Sequence, residues 1–171
     1  MPCVSHLEIT KKILNLGCGN DMFGTHRVDR MPTIATTHVF DVEKGLMFPD
    51  EYFDEIYERN LLEHLRNVGF HLEECYRVLK KGGILTLITD NAACTRFYTF
   101  GTHTGRYEKL RRETNPDDRH YGIFTVNHLR NHLEKVGFQI QTLNTIGTDT
   151  IGRFLDKFSR TKPRILAVAR K

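Results

Sequence analysis

Short apolar runs recur along the chain, separated by stretches in which apolar residues return every three or four positions. The runs predict strands and the longer period predicts helices. Strands are expected over residues 12–16, 27–29, 37–40, 53–57, 84–89, 138–143 and 164–169. Ile84-Leu85-Thr86-Leu87-Ile88 is almost continuous in apolar residues, as a central strand covered on both faces should be. Before it, Leu72, Cys75, Tyr76 and Leu79 share a helical face, with Gly82-Gly83 as the expected stop. After it, Thr125 reads as the N-cap of a helix striped by Leu129, Leu133 and Val136 and ended by Gly137. This alternation predicts an α/β fold with a mostly parallel sheet. The last two strands have no helical pattern between them and are expected to form an antiparallel hairpin. The links from Leu16 to Arg27 and from Asp29 to Thr37 are too short for ordinary crossovers, so the first crossover helices must be shortened or absent.

Residues 90–124 are polar, aromatic-rich and weakly periodic, the pattern of a lid or substrate-binding insertion in a single domain spanning residues 1–171. A chain of 171 residues can bury such a core without staples. No apolar run is long enough to span a membrane, and the N-terminus lacks the order of a signal peptide. Cys3, Cys18, Cys75 and Cys94 are scattered, so neither a zinc site nor a disulfide framework is indicated, and a cytoplasmic location is expected. Charge is uneven: between residues 152 and 171, seven basic side chains face Asp156 alone. That stretch reads as a solvated surface, with phosphate or nucleic-acid contact through residues 153–171 as the alternative.

The most informative segment is Leu14-Asn15-Leu16-Gly17-Cys18-Gly19, followed by Val28-Asp29. A strand ending in a glycine turn lets backbone approach a nucleotide-like ligand, and an acid on the neighbouring strand can grip a ribose. A nicotinamide fingerprint would place a third glycine at position 22, where Met22 stands, which argues against a dehydrogenase.

Further ordered segments carry a family resemblance: Phe40-Asp41-Val42, Leu62-Glu63-His64-Leu65, and Arg77-Val78-Leu79-Lys80-Lys81-Gly82-Gly83. Together with the glycine turn, the sequence resembles the class I S-adenosylmethionine-dependent methyltransferases over about residues 11 to 143. The resemblance implies a Rossmann-like sheet of seven strands and S-adenosylmethionine as cofactor, with S-adenosylhomocysteine as product. It also implies cofactor-binding roles for Asn15, Gly17, Cys18, Gly19, Asn20, Asp29, Asp41, Val42 and Arg59. In that scheme Gly17 and Gly19 lie beneath the methionine part and Asp29 accepts from both ribose hydroxyls. Asp41 receives the adenine amino group, the Val42 N–H meets a ring nitrogen, and the Arg59 backbone meets the methionine end. Relatives often carry an acid at the position of Asn15 and a third glycine at that of Asp21. Asn15 brings no charge to the cofactor ammonium, and Asp21 offers a carboxylate nearby.

Methyl transfer from a sulfonium needs alignment of the nucleophile, and a base only where the nucleophile arrives protonated. Catalytic candidates are His64, His120 and Tyr121, with Asp90 and His103 also near the expected ligand edge. Cys18 lacks a visible partner for nucleophilic work. His128 and His132 share a helix face but lack the glutamate of a zinc-protease helix, and read as surface groups. The expected reaction moves a methyl group to an oxygen or nitrogen, with a small-molecule acceptor favoured over RNA. The alternative is a non-catalytic S-adenosylmethionine-binding subunit or sensor of a larger complex.

Overall fold

A computed structural model describes residues 11–94, 119–147 and 162–171. All of the expected strands are present, with ends shifted by a few residues. They are β1 (Ile13–Leu16), β2 (His26–Asp29), β3 (His38–Val39), β4 (Phe53–Arg59), β5 (Leu79–Asp90), β6 (Gln139–Ile146) and β7 (Arg164–Arg170). They form one sheet in the order β3-β2-β1-β4-β5-β7-β6. β1 to β5 pair in parallel, and β7 runs antiparallel between β5 and β6. The mixed sheet and its antiparallel C-terminal pair match the expectation.

Two α-helices occur among the described residues, α1 (Val68–Val78) and α2 (Val126–Val136). Thr125 caps α2 by accepting the His128 N–H, and Gly137 closes it in the left-handed region at φ 112°. The links β1–β2 and β2–β3 contain no helix, and only a 3-10 turn at Val42–Lys44 lies between β3 and β4. An aromatic cluster packs this part of the sheet instead. His26 meets the Phe53 ring edge-on at 5.1 Å, His38 meets Phe48 at 5.2 Å, and Phe48 meets Phe53 at 4.9 Å. Leu14, Leu16, Ile56, Leu85 and Leu87 of the strands are buried with Leu72, Leu129 and Leu133 of the helices.

The junction of α1 and β5 differs from the sequence reading. The helix stops at Val78, before the glycine pair, because Leu79 is already extended and β5 begins there. The Lys171 ammonium donates to the Arg77 and Leu79 carbonyls at 3.3 and 2.8 Å, satisfying groups at the helix end. Gly82 and Gly83 lie inside β5 instead of ending the helix. A Cβ on Gly83 would come within 2.9 Å of the Lys80 carbonyl oxygen, so the glycine is needed for close packing. Among the described residues no helix is long and apolar enough to cross a membrane.

Candidate functional site

The sheet order reverses between β1 and β4, and a crevice opens beyond the carboxyl ends of these strands, the usual ligand position in open α/β sheets. A cavity of about 220 Å³ lies there. Its walls are Gly17 after β1, Asp29 at the end of β2 with Arg30 after it, Phe40 to Glu43 after β3, and Asn60, Leu61, His64 and Leu65 after β4.

The glycine turn is held from both sides. Gly17 and Gly19 have φ of 64° and 52°, a region that L side chains enter at a cost. The Cys18 N–H donates to the Val28 carbonyl at 3.0 Å, and the Gly19 N–H donates to Asp29 Oδ2 at 2.9 Å. Asp29 Oδ1 accepts from the Met31 N–H at 3.0 Å. Each carboxylate oxygen has a second lone pair, so acceptor capacity remains for a ligand. Asp41 caps the 3-10 turn by accepting the Glu43 N–H at 3.0 Å. Glu43 is clamped by Arg66, whose backbone N–H and Nη2 donate at 2.7 and 3.0 Å. Burial would raise the Glu43 carboxyl, but the Arg66 hydrogen bonds prevail and hold it below its ordinary value.

The opposite wall follows β4. Asn60 adopts a left-handed φ of 53°, which turns the chain sharply after the strand, and its N–H donates to the Ile88 carbonyl at 2.9 Å. A 3-10 turn at Leu62–His64 then presents His64 to the cavity. His64 Nδ1 lies 3.1 Å from the Arg119 carbonyl oxygen. A carbonyl can only accept, so Nδ1 carries a proton in this contact. The His120 ring meets His64 edge-on at 4.4 Å, and His120 Nδ1 lies 4.0 Å from Asp90 Oδ2. Glu63 is buried, and its carboxylate accepts from Thr89 Oγ1 at 2.9 Å. Burial pushes its carboxyl up to about 7. Its backbone carbonyl accepts from the Tyr121 and Gly122 N–H groups at 2.7 and 2.9 Å, which docks the segment carrying His120 against the site.

Gly17, Asp29, Asp41, Val42 and His64 therefore converge on one cavity. The other sequence candidates lie around it. Asn15 is buried inside β1 and its amide donates to the Phe23 carbonyl at 3.2 Å, tying down the loop after the turn. Cys18 is buried under the turn, its thiol raised by burial and by the Asp29 charge. Asn20 and Arg59 are exposed and outside the cavity lining. Asp21 accepts the Phe23 N–H within its own loop. Tyr121 is half exposed and outside the lining, and His103 lies outside the described residues. Sequence reasoning missed Arg30, Phe40, Glu43, Asn60, Leu61 and Leu65 as cavity walls. Asn60 carried a usable signal, since an asparagine just past a strand tolerates the left-handed region.

Residues 21–87 match the family model described as a methyltransferase domain. A structure of an S-adenosylmethionine-dependent methyltransferase from Mesorhizobium loti superposes with a TM-score of 0.68 at 19% identity, covering 94% of this chain and 90% of that one. The chain has the class I methyltransferase fold. A Haloferax volcanii complex between the Trm112 methyltransferase activator and a methyltransferase matches at a TM-score of 0.64 and 16% identity, covering 94% of this chain and 82% of that one. A phosphoethanolamine N-methyltransferase from Haemonchus contortus, in complex with S-adenosyl-L-methionine, matches at 0.63 and 15% identity, over 94% of this chain and 48% of that one. No curated protein sequence matches the chain. The methyltransferase fold and the resemblance in the sequence thus agree, and the cavity lies at the edge where this fold leaves room for a ligand.

Proposed function

We propose that this chain is an S-adenosylmethionine-dependent methyltransferase acting on an oxygen or nitrogen of a small-molecule acceptor. The observation that carries the reading is the convergence of the Gly17 turn, Asp29, Asp41 and His64 on one cavity. The donor set suits the cofactor. Asp29 offers acceptor lone pairs for two ribose hydroxyls, Asp41 offers one for the adenine amino group, and the Val42 N–H matches a ring nitrogen. The Haemonchus relative solved with S-adenosyl-L-methionine supports the same cofactor.

When bound, that cofactor supplies a methyl carbon made electrophilic by its sulfonium. The work left to the chain is alignment and proton removal. His64 takes the proton of an acceptor O–H or N–H on Nε2, while the Arg119 carbonyl fixes the tautomer and His120 braces the ring edge. The acceptor is assigned to the segment 90–124, whose stems are pinned beside His64 by the Ala92 N–H to Phe124 carbonyl bond of 2.8 Å. A small molecule is preferred over RNA because Lys171, one of the basic residues of the C-terminal stretch, is engaged by the Arg77 and Leu79 carbonyls.

Calorimetric titration with S-adenosylmethionine tests the cofactor site. Hydrogen bonds to a charged group contribute about 1.5–3 kcal/mol, so Asp29→Ala should bind roughly 10- to 150-fold more weakly. Undiminished affinity in that variant would overturn the ribose assignment.

A second reading, a subunit that binds the cofactor within a complex, is favoured by the exposed apolar side chains Met31, Ile34 and Val39 beside edge strand β3. The activator complex of the Haloferax relative is a precedent of that kind. Tight cofactor binding without methyl transfer to any acceptor tried, together with a stable complex on affinity purification, would select it.

A further inference from the structure

Three polar side chains meet in the core where α1 packs against β4. Glu58 comes from β4, and His71 and Cys75 lie one turn apart on α1; they are 1%, 1% and 0% exposed. Glu58 Oε2 lies 2.7 Å from His71 Nε2, and Cys75 Sγ lies 3.6 Å from the same nitrogen. One donor atom from each of the three residues falls within 4.8 Å of the others. Glu58 Oε1 and His71 Nδ1 have no hydrogen-bond partner among the described residues. Apolar side chains of similar size would be cheaper to bury than this group, so its presence asks for a compensating partner. None of the three lines the cavity described above.

We propose that Glu58, His71 and Cys75 form a structural site for one zinc ion. Carboxylate oxygen, imidazole nitrogen and thiolate sulfur are the three donor types that zinc takes from proteins. Tetrahedral zinc separates sulfur and nitrogen ligands by about 3.6 Å and nitrogen and oxygen ligands by about 3.3 Å, given its bond lengths. The first separation is already present, and the second needs a small rotation of the Glu58 side chain. Binding through both carboxylate oxygens uses the unpartnered Oε1 and completes four donors. The Cys75 thiol and the His71 Nε2 position each release a proton to solvent. Carboxylate and thiolate then balance the two charges of the ion, and Nδ1 keeps the proton of the neutral ring. The ion would fasten the end of β4, and with it the Asn60–Leu61 wall of the cavity, to α1.

The ligands are sealed from solvent, so loading belongs in a folding experiment. The whole chain is unfolded with chelator, refolded with cobalt(II) or zinc(II), and passed over chelating resin. One ion per chain should remain, with a thiolate-to-cobalt charge-transfer band in the near ultraviolet and a higher urea midpoint than the metal-free protein. Cys75→Ala should lose the band, and Glu58→Gln should lose the retained ion. The double variant His128→Gln/His132→Gln, which removes an exposed histidine pair on α2, should keep both. Wild-type protein that retains no cobalt, or retains it without the charge-transfer band, overturns the proposal whatever the variants do. An unchanged band in Cys75→Ala, or loss of the ion in the α2 variant, overturns it equally.

Discussion

Gly17 and Gly19 share a left-handed φ, yet a methyl group added to each meets different surroundings. At Gly17 it would lie 3.2 Å from Leu61 Cδ1 across the cavity, whereas at Gly19 nothing lies within 4 Å. The backbone conformation alone costs an L residue about 1–2 kcal/mol, so both alanine variants should unfold at lower urea. Gly17→Ala should fall further, because Leu61 must also move. Glu63 sets a different prediction. Its folded carboxyl titrates at about 7 against an ordinary 4.5, so the folded protein holds a proton that the unfolded chain releases. Stability from this group is complete below about pH 4.5 and is lost as pH rises through about 7, a change of up to about 3 kcal/mol. Glu63→Gln should flatten the urea midpoint between pH 5 and 8; an unchanged slope would remove Glu63 as its source. The motif Leu62-Glu63-His64 was legible as a site marker. Glu63's burial was not, since nothing in the sequence marks a partner for it until Thr89 is brought beside it from β5.

At the scale of elements, Arg77 does more than the sequence suggests. From the last turn of α1 it donates to Glu74 Oε1 at 2.7 Å, to Asp50 Oδ1 at 2.6 Å, and to the Phe48 and Leu46 carbonyls at 2.9 and 2.8 Å. It therefore anchors the long β3–β4 connection that has only a 3-10 turn of its own. Arg77→Ala should lower stability by about 2 kcal/mol or more in urea unfolding, since several acceptors lose a donor together. Arg77→Lys should recover little, because a point ammonium cannot span the same fork of acceptors. Strand positions were readable from apolar runs, and Thr125 and Gly137 marked both ends of α2. The end of α1 was not readable. Gly82-Gly83 looks like a helix stop, but pairing of Leu79 with Phe53 draws the chain into β5 first. The buried polar triad was hidden for a related reason. Its members are divided between a strand and a helix, and only their packing makes a cluster.

For the whole molecule, the sheet is unevenly secured. β2 and β3 pair through two residue positions, Val28 with His38 and Asp29 with Val39, while β5 and β7 pair continuously from Ile84 to Asp90. Hydrogen exchange should therefore open β2 and β3 well before β5 and β7, and equal protection would contradict this ranking. Acid should widen the gap. Burial, the His38 ring and Lys12 hold His26 below its ordinary value, so its stabilising neutral form is present above about pH 6.5 and lost as pH falls through the lower folded value. Exchange in β2 should accelerate there, and His26→Gln should blunt the effect. The sheet order carries one more consequence, for synthesis. β6 is made before β7, yet among the described residues β7 is its one strand neighbour and joins it to β5. During translation the five parallel strands can assemble as they emerge, but β6 has no edge to join until β7, which follows it in the chain, has paired with β5. Until then β5 remains an open edge, and that interval is when the nascent chain is most exposed to mispairing.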